Sequence, residues 1–328
     1  MITLDDDRLT FRFPEVHPEA ECSLHFQRTL RIPDDGRDYP LPPGLGDFPL
    51  RHLDDHAGRV PGEWLKRGGV VMPMSQAEAM WISFGGGYRR DGYPFAIKIA
   101  TGKINAVSGE PWTPQLNRDP QDYIVIPEQP WFDGYCVEKG IIRQFVAMPL
   151  GEGYSVEEQL TGEAEWGGVQ ILAYPMKADR YEAVHVARRA FADRVCCNSP
   201  MGLAPGGRMK QEVYDDPYGL DAWDQRHVSR CFVTIANSVT WQAITGERPP
   251  MQPPTAVDYS QAGLPWFDYY DADAKALEGS GRLAKAKGVV EIAARRGEES
   301  LPENSSAEIE RIIQLRRRTT NEVREMRA

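Results

Sequence analysis

Positive charge is the first thing this chain is short of. Lys and Arg number 38 against 48 Asp and Glu, which leaves a net charge of −10. An acidic surface repels phosphate backbones, so no nucleic-acid partner is expected. Cysteine is scarce as well, with five in 328 residues. An odd, scattered set reads as free thiols in a reducing compartment rather than as a disulfide framework. No apolar run approaches the length that spans a bilayer. The start, Met1-Ile2-Thr3-Leu4-Asp5-Asp6-Asp7, is acidic where a secretion signal is basic. The expectation is a cytoplasmic protein without a membrane span.

Catalytic signatures are missing too. There is no Gly-x-Ser-x-Gly elbow and no His and acid pair at zinc spacing. Gly85-Gly86-Gly87 stands beside Arg89 and Arg90 but lacks the Lys-Ser/Thr ending of a phosphate loop, and reads as a hairpin loop. Gly202 to Gly207, before Arg208 and Lys210, reads the same way. Asp215, Asp216, Asp221 and Asp224 crowd one stretch; Asp268, Asp271 and Asp273 crowd another. Oxygen-rich loops can hold calcium, but the EF-hand spacing is absent, so these read as solvated turns with no metal. No cofactor is expected. Cys196 and Cys197 read as small buried hydrophobes rather than nucleophiles.

What the chain does have is aromatic weight: eight Trp and thirteen Tyr. That suits a rich β core or an aromatic-lined surface. The length fits one large or two ordinary domains. The organising stretch is Trp131 to Met176. Trp131 to Val137 and Ile141 to Met148 read as two strands joined by Glu138-Lys139-Gly140, whose Gly allows a left-handed backbone. Both faces of the second strand are apolar, so Arg143 and Gln144 each need a partner if buried. Ser155 with Glu158 makes a capping box, closed by Gly162.

One pattern occurs three times. An apolar run meets Pro73-Met74, Pro149-Leu150 or Pro175-Met176, and each Pro is expected to end a strand. A cap residue with Glu three later then follows: Ser75 and Glu78, Ser155 and Glu158, Asp179 and Glu182. Elsewhere Leu24 to Ile32, Phe95 to Val107 and Cys231 to Trp241 read as strands, and Tyr181 to Val195 and Thr255 to Gly263 as helices. Residues 33–69 are rich in Pro and Gly and studded with Leu45, Phe48, Leu50 and Trp64, which reads as an arm packed on a neighbour. Ser305 with Glu308 is expected to open a C-terminal helix bearing Ile309, Ile312, Ile313 and Arg316 to Arg318.

The fold expectation is a β-rich α+β protein, sandwich-like and antiparallel in its first half, mixed in its second, with a C-terminal helix. The segments are a β-rich domain at 1–177 carrying the arm, a mixed region at 178–277 packed on it, and a polar tail at 278–328. Two functions follow. One is a non-catalytic self-assembling or binding protein, a homo-oligomer joined through the arm and the C-terminal helix. Its binding aromatics would be Trp131, Trp166, Trp266, Phe267, Tyr269 and Tyr270. The other is a hydrolase, acting on carbohydrate in an acid-lined cleft. Its catalytic candidates are Glu157 and Glu158, or Asp224 with His227. Paired carboxylates beside aromatics suit glycoside hydrolysis, where their separation sets the mechanism.

Overall fold

The computed structural model describes residues 1–85, 92–188, 203–269 and 274–315. The expectations placed on Gly86, Gly87, Arg89, Arg90, Cys196, Cys197, Tyr270, Asp271, Asp273 and Arg316 to Arg318 lie outside those residues. The chain opens with β1 (Ile2–Asp5), β2 (Arg8–Arg12), β3 (Glu21–Thr29), β4 (Asp38–Tyr39), β5 (Gly44–Asp47), β6 (Arg51–His52) and α1 (Gly62–Arg67). Then come β7 (Val70–Met74), β8 (Ala79–Phe84), β9 (Phe95–Thr101), β10 (Ile104–Asn105), β11 (Ile124–Ile126), β12 (Trp131–Phe132), β13 (Gly134–Glu138) and β14 (Ile141–Val146). The remainder holds α2 (Val156–Thr161), β15 (Val169–Pro175), α3 (Ala178–Arg188), β16 (Ala204–Lys210) and β17 (Ser229–Asn237). It closes with α4 (Ser238–Thr245), α5 (Ala256–Gln261), β18 (Trp266–Tyr269), α6 (Val289–Arg296) and β19 (Ile312–Leu315).

The result is a β-rich α+β fold. A ten-stranded sheet runs β1-β2-β3-β8-β14-β16-β4, with β5, β12 and β13 paired at its flanks. A seven-stranded sheet runs β10-β9-β15-β17-β7-β6, with β11 on β9. Pairing is antiparallel except for β16 with β4, β17 with β7 and β18 with β19. The region after residue 178 supplies β16 to the larger sheet and β17 to the smaller one. One buried cluster joins both sheets, with Phe26, Ile82 and Phe145 from one and Ile97, Ile171 and Val233 from the other. Thr101 of β9 and Tyr135 of β13 share a hydrogen bond between the sheets at 2.8 Å.

The organising stretch forms largely as read. Gly140 closes the hairpin between β13 and β14 with φ +73°. The two polar residues of β14 do find partners. Gln144 is fully buried; its Oε1 accepts from Ile32 N–H at 2.8 Å and its Nε2 donates to Leu30 O at 2.9 Å. Arg143 donates to Ala286 O at 2.6 Å and pairs with Asp34 at 3.3 Å. The expected single strand from Trp131 to Val137 is instead two pieces, β12 on β8 and β13 on β14, parted at Asp133.

The thrice-repeated pattern marks one topological event. After Pro73 the chain leaves the smaller sheet for β8 of the larger. After Pro149 it leaves the larger sheet for β15 of the smaller, and after Pro175 it crosses back to β16. Two of the prolines take part in their strands: Pro73 lies one residue before the end of β7, and Pro175 is the last residue of β15, which ends there as expected. Each sits where its strand has lost one neighbour, since β6 reaches only Val70 and Val71, and β17 pairs β15 only as far as Ala173. A missing N–H is harmless there. Ser75 to Glu78 makes a turn rather than a helix, and Asp179 falls inside α3 rather than before it.

Three expectations are corrected. The 33–69 arm lies on its own chain: of its studs, Phe48 and Leu50 are buried there, and Leu45 and Trp64 are partly buried against the same chain's clusters. The segment 278–315 is not a polar tail, because Leu283, Ala286, Val289 and Ala307 join buried clusters. No helix starts at Ser305. The Ser306 hydroxyl donates to Asp35 at 2.6 Å and Ala307 N–H donates to the Tyr39 hydroxyl at 3.3 Å, which ties this segment to residues 35–39. Ile312 and Ile313 then pair with Trp266 and Phe267 as β19. No helix among the described residues is long and apolar enough to cross a membrane.

Candidate functional site

Two of the three crossings converge on a cleft of about 510 Å³. Met74, Ser75 and Gln76 form one wall, Met148, Pro149 and Leu150 the next. The lining continues with Thr234, Ile235 and Asn237 at the end of β17, with Trp64 and Arg67 of α1, and with Trp166 on the loop between α2 and β15.

Trp166 is held from several directions. The Arg67 guanidinium lies 4.5 Å from its ring and the Lys103 ammonium 4.2 Å from it. Arg67 also donates to the carbonyls of Glu165 and Trp166, each at 2.8 Å. Phe232 packs against the indole at 6.3 Å. Cations on an aromatic face are attracted by its quadrupole, so the ring has a fixed orientation.

The two adjacent acids of α2 take separate roles. Glu158 completes the capping box with Ser155 and accepts from the amides of Gly151 and Gly153 at 2.9 and 2.8 Å. Glu157 turns inward with 2% exposure, and its Oε2 accepts from Gly167 N–H at 2.9 Å and Trp166 N–H at 3.3 Å. Burial raises its carboxyl above the ordinary range, while the amides of Gly167, Trp166 and Lys103 pull it back. The Glu157 side chain fills the place where Gly102 has no Cβ, a Cβ there falling 2.2 Å from Oε2.

The second acid candidate lies elsewhere. Asp224 Oδ2 and His227 Nδ1 are 3.0 Å apart. Burial pushes the Asp224 carboxyl up, but hydrogen bonds from His227 and Arg226 outweigh that and hold it below the usual range. Asp224 borders a separate open hollow of about 890 Å³ with Arg118, Lys177 and Asp221. The neighbouring aspartates are not solvated turns alone. Asp216 is buried and accepts from Tyr123 OH at 2.6 Å and Trp223 Nε1 at 3.0 Å. Asp215 faces Arg118 and Lys275, at 3.6 and 3.5 Å. Among the described residues no three His, Cys, Asp or Glu side chains converge as a metal site.

Of the aromatic candidates among the described residues, only Trp166 borders the cleft. Trp131 is buried between Trp81 at 5.7 Å and Tyr269 at 4.9 Å, and Trp266 is buried against Tyr39 and Tyr259. Phe267 is partly buried against the same core. The sequence reading missed Arg67, Lys103 and Thr234, which carry no local signal. Met74 was within reach, since it stands in the repeated Pro pattern. No family model matches the chain, and neither a curated protein nor a solved structure matches it.

Proposed function

We propose that the protein is a non-catalytic binding protein, and that its ligand is a small, largely apolar molecule held in the cleft beside Trp166. The supporting observation is that the two carboxylates expected as a catalytic pair are both taken up by backbone amides. A glycoside-cleaving pair needs two carboxylates facing one bond. Glu157, which borders the cleft, instead accepts from Gly167 N–H, and Glu158, which does not border it, accepts from Gly153 N–H. Around the cleft Met74, Met148, Leu150, Ile235 and Trp166 supply apolar surface beside the polar Glu63, Arg67, Gln76 and Asn237, a mixed lining of the kind that small-molecule sites have. Methionine adapts to irregular apolar shapes, which suits such a wall.

The neutral dye N-phenyl-1-naphthylamine tests this reading. Saturable binding is expected, with loss in Leu150→Trp, which fills the cleft from its exposed rim. Binding unchanged in both Leu150→Trp and Met148→Trp, with the far-ultraviolet spectrum intact, would place the dye elsewhere and remove the reading.

Self-association is the second reading, and one observation favours it. β19 pairs only with β18 among the described strands, and its Ile312 and Ile313 are 51% and 37% exposed. An exposed apolar edge strand is a template for another copy. Light scattering should show an oligomer that the double variant Ile312→Lys, Ile313→Lys converts to a monomer. A wild-type monomer at high concentration excludes it.

A further inference from the structure

One wall of the cleft stands apart from both sheets. Residues 54–68 leave the smaller sheet at β6 and return to it at β7, whose pairs are Arg51 with Val71 and His52 with Val70. Leu53 N–H donates to Gly69 O at 3.2 Å just beyond those pairs. The segment therefore starts and ends at one point on a hairpin stem, as an Ω-loop does. No residue of α1 is buried, and none of the helical turn Asp54–His56 is. Yet Pro61, Glu63, Trp64 and Arg67 of this loop line the cleft.

The loop has few ties to the body. Val60 and Trp64 pack, partly buried, against Leu53, Val71, Ala236 and Trp241, and Arg59 donates to Ile244 O at 3.3 Å. Gly69 presses on β17, where a Cβ would fall 2.1 Å from Phe232 O. Gly68 beside it has φ +65° and open space around the missing Cβ, so the chain is free to pivot there.

The remaining tie is Arg67, which donates to Glu165 O and Trp166 O, each at 2.8 Å. The same two peptide groups are held from their other side. The N–H of the Glu165–Trp166 peptide reaches Glu157 Oε2 at 3.3 Å, and that of the Trp166–Gly167 peptide reaches it at 2.9 Å. Two successive peptide units thus lie between a guanidinium and a carboxylate. Each charge polarises them in the sense that strengthens the bonds to the other. Arg67 in this way fastens α1, through the Trp166 loop, to Glu157 of α2.

We propose that residues 54–68 are a flap that closes over the ligand in the cleft, pivoting at Gly68 and latched by Arg67 to the Trp166 loop. The proposal rests on the binding reading above for what lies beneath the flap. Opening breaks the two Arg67 hydrogen bonds and lifts Trp64 from its seat, on the microsecond to millisecond scale usual for such lids. The latch sets how long a ligand stays.

The free chain is tested first. With 5-fluorotryptophan incorporated and Trp64→Phe assigning the signal, ¹⁹F relaxation dispersion reads the open population at Trp64. Arg67→Met should raise that population about tenfold. Arg67→Lys, which keeps the charge but not the fork, should fall between it and wild type. Glu157→Gln, on the far side of the Trp166 loop, should act in the same direction by less. N-phenyl-1-naphthylamine should then leave Arg67→Met about tenfold faster than wild type, with a much smaller change in its association rate. No rise in exchange at Trp64 in Arg67→Met, with the far-ultraviolet spectrum intact, overturns the inference. An unchanged dye dissociation rate also overturns it and leaves the binding reading standing. No dye binding by the wild type removes that reading, and the flap then stands or falls on the Trp64 signal.

Discussion

Asp133 and Gln211 exchange two hydrogen bonds in the interior: Asp133 N–H donates to Gln211 Oε1 at 3.1 Å, and Gln211 Nε2 donates to Asp133 Oδ1 at 3.0 Å. Burial raises the Asp133 carboxyl well above its usual range, and the Gln211 hydrogen bond offsets this only in part. The native state therefore holds this proton more tightly than the unfolded chain does. Stability from this group is greatest below the ordinary carboxyl range and falls as pH rises toward the elevated native value. Asp133→Asn keeps both an acceptor and a donor without a charge. Its melting temperature should match or exceed wild type by a few degrees at pH 7.5, with a shallower decline toward alkaline pH, as read by calorimetry.

His25 acts in the opposite sense. Both ring nitrogens are buried without a partner, and Arg8 stands across the strand pair. Burial first, then repulsion from Arg8, lowers its pKa from 6.5 to about 4. The unfolded chain takes the proton first, so stability is whole above pH 6.5 and is lost as pH falls toward 4. His25→Phe should be stabilising by about 2 kcal/mol at pH 5 and close to neutral at pH 8, as measured by urea unfolding.

Gln144 bridges β14 to the backbone of Leu30 and Ile32 beyond the end of β3. Gln144→Leu keeps the volume but leaves one buried N–H and one buried carbonyl unpaired. The expected loss is about 2 to 5 kcal/mol in urea unfolding. An unchanged midpoint would mean that those two groups find other partners.

Gly102 governs the cleft through Glu157. Its φ is +55°, and a Cβ would fall 2.2 Å from Oε2 of a carboxylate that is itself tied to two amides. Gly102→Ala should destabilise the fold by about 2 kcal/mol or more, part of it from the left-handed backbone. It should also weaken N-phenyl-1-naphthylamine binding, because the Trp166 loop loses its anchor. Full dye affinity in this variant would separate Glu157 from the cleft's shape.

Signals between near neighbours were legible. Gly140 closing its hairpin, the Ser155 and Glu158 box and the short helix opening at Thr255 all appear as their residue types demand. The alternating apolar runs at Phe95 to Thr101 and Cys231 to Asn237 became strands because a two-residue period needs only a sheet to lie in, whereas the last four residues of the strand expected over Cys231 to Trp241 are helical, in α4. These features depend on atoms within a few residues, and the amino-acid order settles them.

What depended on distant partners was decided only on folding. Glu157 and Glu158 look alike as neighbours, yet one caps its own helix and the other reaches the Trp166 loop. The studs of 33–69 read as reaching outward until the chain supplied a core that buries Phe48 and Leu50. Ser305 and Glu308 carry a helix signal worth about 1 kcal/mol, which the Tyr39 and Asp35 contacts and the pairing of β19 with β18 outweigh. The cleft itself belongs to no segment. It exists because two sheet crossings, a helix of the supposed arm and the end of β17 meet in space, and contacts of that range leave no mark on local sequence.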